Sequence, residues 1–337
     1  MFQHKNLEKF IYYSIFTIPV SLLVGVFFLN LNSALISILF IAFIILNKNY
    51  YIIYNKNSYS FFVLLLLFLL SSIFSNYFLK SIENVASFAS HLLLFFGIAY
   101  FLSKDTKKSF NISRVVFYVV LLICIDLWIQ SIFGKNIFGY EKEQAGRLTS
   151  FFKGEQIPGG IIFKLSPFFI YFLFKQKNNF INKFKYIFLF FLYFSILITG
   201  ERLPSILSTI ALIGFIILNI KFLSYKKLIL YSILFILVFG IIYFQKDSII
   251  NERISYTFYQ FSDNVYFKLY DNAFTIFKEN FLFGTGLQTF RYECSKISEI
   301  CSTHPHNFFL ELLSDTGFVS AILFYFALIF LFFNKFL

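Results

Sequence analysis

The stretch CSTHPHNFFLELLSDTG, residues 301–317, gathers side chains that could do chemistry. It holds two of the chain's four histidines, His304 and His306, on either side of Pro305, and runs straight into an apolar segment that still carries Glu311 and Asp315. Imidazole titrates near neutral pH, so such rings can move a proton. Proline fixes the backbone and belongs at a helix start, and Asn307 is a fitting cap. In the helix that follows, Glu311 and Asp315 lie one turn apart on one face, while Phe308, Leu312 and Phe318 can face lipid or neighbouring helices. Carboxylates in a membrane span are costly unless they face a polar cavity or basic partners, which marks this helix as built to line something. Upstream, Cys294 and Cys301 favour a disulfide in an oxidising compartment, the alternative being two free thiols. Closing so small a loop constrains the segment before His304 more than it stabilises the whole protein. Cys294, Cys301, His304 and His306 can be drawn as four ligands, but their spacing fits no common zinc pattern and no metal is expected.

The elements that must position these residues are membrane spans. Of 337 residues, 58% are hydrophobic and only 14% charged, too little polar surface for a soluble domain of this size. Segments such as 10–29 and 59–78 have the ~20 residues a helix needs to cross a ~30 Å hydrocarbon layer. The first is too long for a signal-peptide core and lacks a small-residue cleavage site, so it is expected to remain as a span. The fold class expected is all-α: a polytopic integral membrane helical bundle of about ten transmembrane helices, one membrane domain over 1–337. The spans are placed at 10–29, 33–46, 59–79, 85–102, 112–133, 161–174, 186–199, 205–220, 228–244 and 308–333.

With those spans, one side of the membrane collects most of the lysines, among them Lys48, Lys107, Lys108, Lys183, Lys185, Lys226 and Lys227, against only Glu8 and Asp105. The other side is balanced. Basic excess in short loops marks the cytoplasm, so both termini are expected inside and the loops 134–160 and 245–305 outside. The net charge of +12 then reads as a topology signal and a contact with anionic membrane lipids, not as a nucleic-acid footprint. Within the second loop, residues 271–284 suit an amphipathic helix at the membrane surface.

The phrase HPHNFFLELLSDTGF, 304–318, resembles the signature of the O-antigen ligase and Wzy-type O-antigen polymerase family. That signature is a His, then Asn, Ser or Gln, nine residues and a Gly, and His306, Asn307 and Gly317 fall in that spacing, with Ser320 where the family has Gly, Thr or Tyr. FKENFLFGTGLQTFR, 277–291, is similar to the Gly-x-Gly approach that precedes the family's histidine. GRLTSFFKGEQIPGG, 146–160, resembles the family's arginine-bearing outer loop, with Arg147 in the arginine place, although Pro158 and then Gly159 stand where a glycine is expected. ITGERLPSIL, 198–207, is similar to its Thr-Gly-Ser-Arg segment, with Arg202 as the arginine and Glu201 in place of serine. The resemblance covers about 110–330, and whereas family members often continue into further spans, this sequence ends at Leu337.

What the resemblance implies is glycosyl transfer on the periplasmic face of the bacterial inner (cytoplasmic) membrane. The donor would be a glycan on undecaprenyl diphosphate. The acceptor would be a sugar hydroxyl of a second lipid-linked glycan, for a polymerase, or of lipid A core, for a ligase. The leaving diphosphate needs its charge stabilised, and arginine binds phosphate oxygens in a fork while staying charged. Arg147, Arg202 and Arg291 are the diphosphate-binding candidates, His306 the base for the acceptor hydroxyl, and Glu155, Glu201, His304 and Asn307 supporting or sugar-binding residues. No cofactor is expected, and the outcome by analogy is metal-independent displacement with inversion. A transporter or flippase of lipid-linked sugars is the alternative, but it would call for inverted repeats and mid-membrane polar sites. Outside this set, Asp126 is expected to be protonated or paired with a site arginine, His91 to be a hydrogen-bonded packing residue, and Trp128 an interfacial anchor.

Overall fold

A computed structural model of the protein describes residues 2–53, 56–142, 147–219 and 265–336. The expected span 228–244 lies outside the described residues. Within them the chain is helical, and the only β-type pairing is an isolated bridge between Lys135 and Glu141.

In chain order the helices are α1 (Phe2–Val24), α2 (Val26–Asn47), α3 (Lys56–Ile73), α4 (Phe78–Ser103), α5 (Thr106–Phe133), α6 (Pro158–Lys175), α7 (Asn179–Ile198) and α8 (Arg202–Asn219). After the undescribed residues come α9 (Val265–Glu279), α10 (Phe290–Ile297) and α11 (Phe308–Phe336). Six are long and apolar enough to cross a membrane: α1 from Asn6, α2, α4, α5, α7, and α11 as far as Ile329. Together they make this a multi-pass membrane protein. Shorter apolar stretches, Ser58–Ile73 and Arg202–Phe215, fall in α3 and α8.

The first two helices break earlier than hydropathy suggested, at Gly25 rather than after residue 29. Gly25 has φ +141° with nothing within 4 Å of where a Cβ would stand, so conformation alone calls for glycine there. Hydropathy is blind to such a break because both sides of it are apolar. Other boundaries follow local rules. Asp105 caps α5 by accepting from the Lys107 and Lys108 amides, at 2.8 and 3.4 Å, and Gly134 ends it in the left-handed region. Asn178 caps α7 in the same way.

The chain divides into two compact units. One comprises residues 1–14, 31–101 and 261–337. Here α2 and α4 pack closely, with Phe40 and Phe43 against Tyr100 and Phe101 and the Ser37 hydroxyl donating to the Ser90 carbonyl at 2.8 Å. Gly97 lets them approach, since a Cβ there would lie 3.3 Å from the Phe40 ring. A second core joins Phe68, Val85, Phe277, Leu312, Leu313 and Ala321. Leu312, expected to meet lipid or a neighbouring helix, is thus buried, whereas Phe308 and Phe318 are exposed.

The other unit comprises 15–30 and 102–260. Phe117 of α5 packs on Phe169 and Phe172 of α6 and on Phe188 of α7. Trp128, expected as an interfacial anchor, instead points across to α7, donating to the Ser195 hydroxyl at 3.1 Å and stacking on Phe191. In a membrane such packing and interhelical hydrogen bonds replace the hydrophobic effect as the associating force.

Candidate active site

In the second unit the loop after α5 presents Arg147, and the end of α5 organises it. The Gln130 amide oxygen accepts from the backbone of Thr149 and Ser150, both at 3.0 Å, while its nitrogen donates to the Tyr140 and Glu141 carbonyls at 3.2 Å. Asp126, fully buried one turn earlier, accepts from the Ile137 amide at 2.8 Å and the Ser150 hydroxyl at 2.7 Å. Asn136 donates to the Ser150 carbonyl at 2.6 Å and its oxygen accepts from Phe138 and Tyr140. Asp126 is therefore a staple for the loop, and among the described residues no arginine bonds it. A buried carboxylate with this many donors is satisfied locally.

Arg147 donates from Nη1 to the Gln156 side-chain oxygen, and its Nε is buried with no partner among the described residues. The same segment runs into α6, whose first turn contains Gly159 and Gly160. Glu201, between α7 and α8, places its two oxygens on these amides, 2.6 Å from Gly159 N and 3.0 Å from Gly160 N. A carboxylate at a helix N-terminus satisfies orphan donors and complements the dipole. The contact requires glycine: a Cβ at 159 would lie 2.6 Å from the Thr199 hydroxyl and 3.0 Å from Glu201. Burial pushes the Glu201 carboxyl up, and the two amides, Arg147 and Lys164 pull it partly back. Arg202 opens α8 with an exposed side chain, a cation at the positive end of a helix, where the dipole does not favour it. Glu155 is exposed.

In the first unit the histidines occupy a tight turn before α11. Cys294, fully buried in α10, is joined to Cys301 as a disulfide, with Cα atoms 5.8 Å apart, and Asn272 of α9 donates to the Ile300 carbonyl at 3.1 Å. The turn that follows holds His304 and His306 with ring centroids 4.2 Å apart, and Tyr266 meets His306 edge-on at 5.3 Å. His306 takes φ +56°, a conformation rare outside glycine, which swings its ring back toward Ser302, 3.4 Å from Nε2. Asn307 caps α11, its oxygen accepting from Phe309 at 3.0 Å and Leu310 at 3.3 Å. Partial burial, and then the neighbouring charge of His304, hold the His306 imidazole below its ordinary value of 6.5. Glu311, half-buried in the first turns of α11, interacts electrostatically with His304.

Gly317 breaks α11 at φ 75°, ψ 177°. Backbone groups freed nearby find partners across the break. Thr285 N donates to the Ser314 carbonyl at 3.0 Å, Gly286 N to that of Asp315 at 2.7 Å, and Phe318 N to that of Phe281 at 2.9 Å. The 281–286 strip thus lies along the break like a strand. Closeness explains its glycines: a Cβ on Gly317 would stand 2.3 Å from the Leu282 oxygen, one on Gly284 2.4 Å from the Asp315 carbonyl, and one on Gly286 2.5 Å from the Ser75 hydroxyl. Asp315, instead of lining a cavity with Glu311, turns its carboxylate onto the amides of Gln288 (2.7 Å) and Phe290 (3.0 Å), where α10 begins. Neither residue's part in this joint was read from sequence, because the two segments are far apart in the chain.

The site residues named from sequence thus fall into two groups. Arg147 and Glu201 are gathered in one unit, with Arg202 following Glu201 in the chain. His304, His306, Asn307 and the disulfide are gathered in the other. Arg291, also in the first unit, is exposed on α10 with its guanidinium 5.3 Å from the Tyr292 ring centroid. Gln156, Gln130 and Asn136 were missed; a polar side chain flanking a Gly-Gly helix start was the available signal for the first. No group of metal-ligating side chains occurs among the described residues.

Residues 187–325 match the family model Wzy_C, O-Antigen ligase, a stretch running from within α7 through Glu201 and Arg202 to the second half of α11. No curated protein matches the chain. The histidine phrase, its Gly-x-Gly approach and the Glu201–Arg202 segment all lie inside the matched residues, whereas the Arg147 loop precedes them. Over residues 187–325 the chain is similar to the O-antigen ligase family, a likeness that suggests a membrane enzyme of polysaccharide biosynthesis.

Proposed function

We propose that the protein is a glycosyltransferase that moves a glycan from undecaprenyl diphosphate to a sugar hydroxyl at the periplasmic face, as a polysaccharide polymerase or an O-antigen ligase. The observation that carries this reading is the family match, because it contains both the Glu201–Arg202 segment and the His306 turn. His306 accepts the proton of the acceptor hydroxyl. Its lowered proton affinity keeps the ring neutral, and so able to accept, at neutral pH. The acceptor oxygen forms a bond to the anomeric carbon as that carbon's bond to the diphosphate oxygen breaks, inverting its configuration. The electron pair leaves with undecaprenyl diphosphate, whose growing charge Arg147 and Arg202 stabilise, with Arg291 as a further candidate. Glu201 supports Arg147 and the α6 terminus; Asn307 fixes the start of the histidine helix; His304 tunes His306; Glu155 is free to meet sugar hydroxyls.

The test is reconstitution of the purified protein with an undecaprenyl-diphosphate oligosaccharide, alone or with lipid A core, and analysis of the products by mass. Longer lipid-linked chains identify a polymerase, and transfer that requires lipid A core identifies a ligase. Absence of any new glycosidic bond with either acceptor, together with passage of the intact donor across the bilayer, would replace this reading by transport.

A further inference from the structure

Around Arg147 the described residues at the approach to α6 and α8 offer Glu155, Gln156 and Glu201 as acceptors. Its hydrogen bond goes to the one of these that carries no charge. Gln156 receives Nη1, Glu155 is turned to solvent, and the Glu201 oxygens are committed to Gly159 and Gly160. Glu201 feels the charge of Arg147 but makes no ion pair with it. A guanidinium held by a carboxylate would be oriented and neutralised together. One held by an amide is oriented and keeps its whole charge. Its Nε meanwhile is buried without a partner among the described residues, a costly state that an incoming anion would relieve. The loop is also rigidly built around this point, since Gln130, Asn136 and Asp126 pin residues 149–150, and Pro158 opens α6 two positions after Gln156.

We infer that Gln156 is a positioning residue: it holds Arg147 for an anionic donor, and its neutrality leaves the guanidinium charge available to that donor. The inference rests on the proposed lipid-diphosphate donor. It predicts that what matters at 156 is charge as well as shape. Gln156→Glu keeps the shape and adds a carboxylate, which would capture Arg147. Gln156→Ala removes the hold.

The experiment measures binding of undecaprenyl diphosphate, without any sugar, to the full chain purified in detergent, by thermophoresis. Wild type, Arg147→Ala, Gln156→Ala and Gln156→Glu are compared from about pH 8 to about pH 5. Expected are losses of about tenfold for Arg147→Ala and Gln156→Ala, and a loss at least as large for Gln156→Glu at the alkaline end. Gln156→Glu should stay at least as weak as Gln156→Ala across this whole range, because a carboxylate paired with a guanidinium keeps its charge below about pH 5. A residue that merely packs would give the opposite order, with the isosteric Glu milder than Ala. Should Gln156→Ala fail to fold, the affinity of Gln156→Glu against wild type decides alone. Both Gln156 variants within twofold of wild type, while Arg147→Ala still loses affinity, would overturn the inference and leave the donor standing. No binding by wild type would remove the donor itself, and the inference with it.

Discussion

Replacing Gly317 with alanine should unseat the helix that follows the histidines. Gly317 combines φ 75° with ψ 177°, a region essentially closed to residues with a Cβ, so the backbone alone costs ~1–3 kcal/mol. The added Cβ would also stand 2.3 Å from the Leu282 carbonyl oxygen and 2.6 Å from Gly284 N. Both are backbone atoms, and Gly284 N is held on the Asn280 carbonyl at 2.9 Å, so they cannot swing aside as a side-chain tip can. Overpacking of this kind typically adds ~1–3 kcal/mol. The sum, roughly 2–6 kcal/mol, is a large share of the ~5–15 kcal/mol that holds a typical domain folded. Gly214 in α8 supplies the internal control: it is helical, and nothing lies within 4 Å of its would-be Cβ. Thermal unfolding in detergent should therefore show Gly317→Ala melting several degrees below wild type or failing to accumulate, with Gly214→Ala unchanged or slightly stabilised. A Gly317→Ala protein that melts with wild type would refute the docking of residues 281–286 along the broken helix.

Three further outcomes follow from the same geometry. Burial raises the Glu201 carboxyl above its ordinary 4.5, so the folded protein holds that proton more tightly than the unfolded chain. Stability should then rise as pH falls through the interval just above 4.5, and melting curves of Glu201→Gln should lose that gain. His306 is depressed below 6.5, first by burial and then by His304, so the acid limb of the rate against pH should lie below 6.5. In His304→Ala the limb should move up toward that value; a limb that stays put would remove His304 as the second cause. Reducing the Cys294–Cys301 bond, or Cys294→Ser, releases a short closed loop and should lower stability by about 2–3 kcal/mol, read as a lower melting temperature with reductant than without.

The sequence reading reached furthest where local rules govern. Asn307 was legible as a cap because the side-chain type, the preceding proline and the apolar run agree, and the disulfide was legible from two close cysteines in one loop. The spacing of His306, Asn307 and Gly317 was legible as a signature, but its physical sense was not. Gly317 ends one helical segment so that Ser314 and Asp315 can offer carbonyls to Thr285 and Gly286. That pairing, like the Ser71 hydroxyl on the Asp315 carbonyl at 2.9 Å, joins residues distant in the chain, and periodicity carries no trace of it. Asp315 was misjudged for the same reason: a carboxylate in an apolar helix suggests a polar cavity, and here the consecutive amides of Gln288, Thr289 and Phe290 supply the donors instead. Asp126 repeats the lesson, its partners being loop amides and a serine, not an arginine. The early break at Gly25 was invisible because hydropathy is continuous across it. About ten spans were expected, and the described residues support six by length and composition.

The most direct test of the central claim is turnover of an undecaprenyl-diphosphate oligosaccharide by reconstituted wild type against His306→Ala, with folding checked by thermal unfolding. The account predicts new glycosidic product with wild type and a loss of about 10²–10⁴-fold in the folded variant, the range for removal of a general base. A folded His306→Ala protein that forms product at the wild-type rate would contradict it.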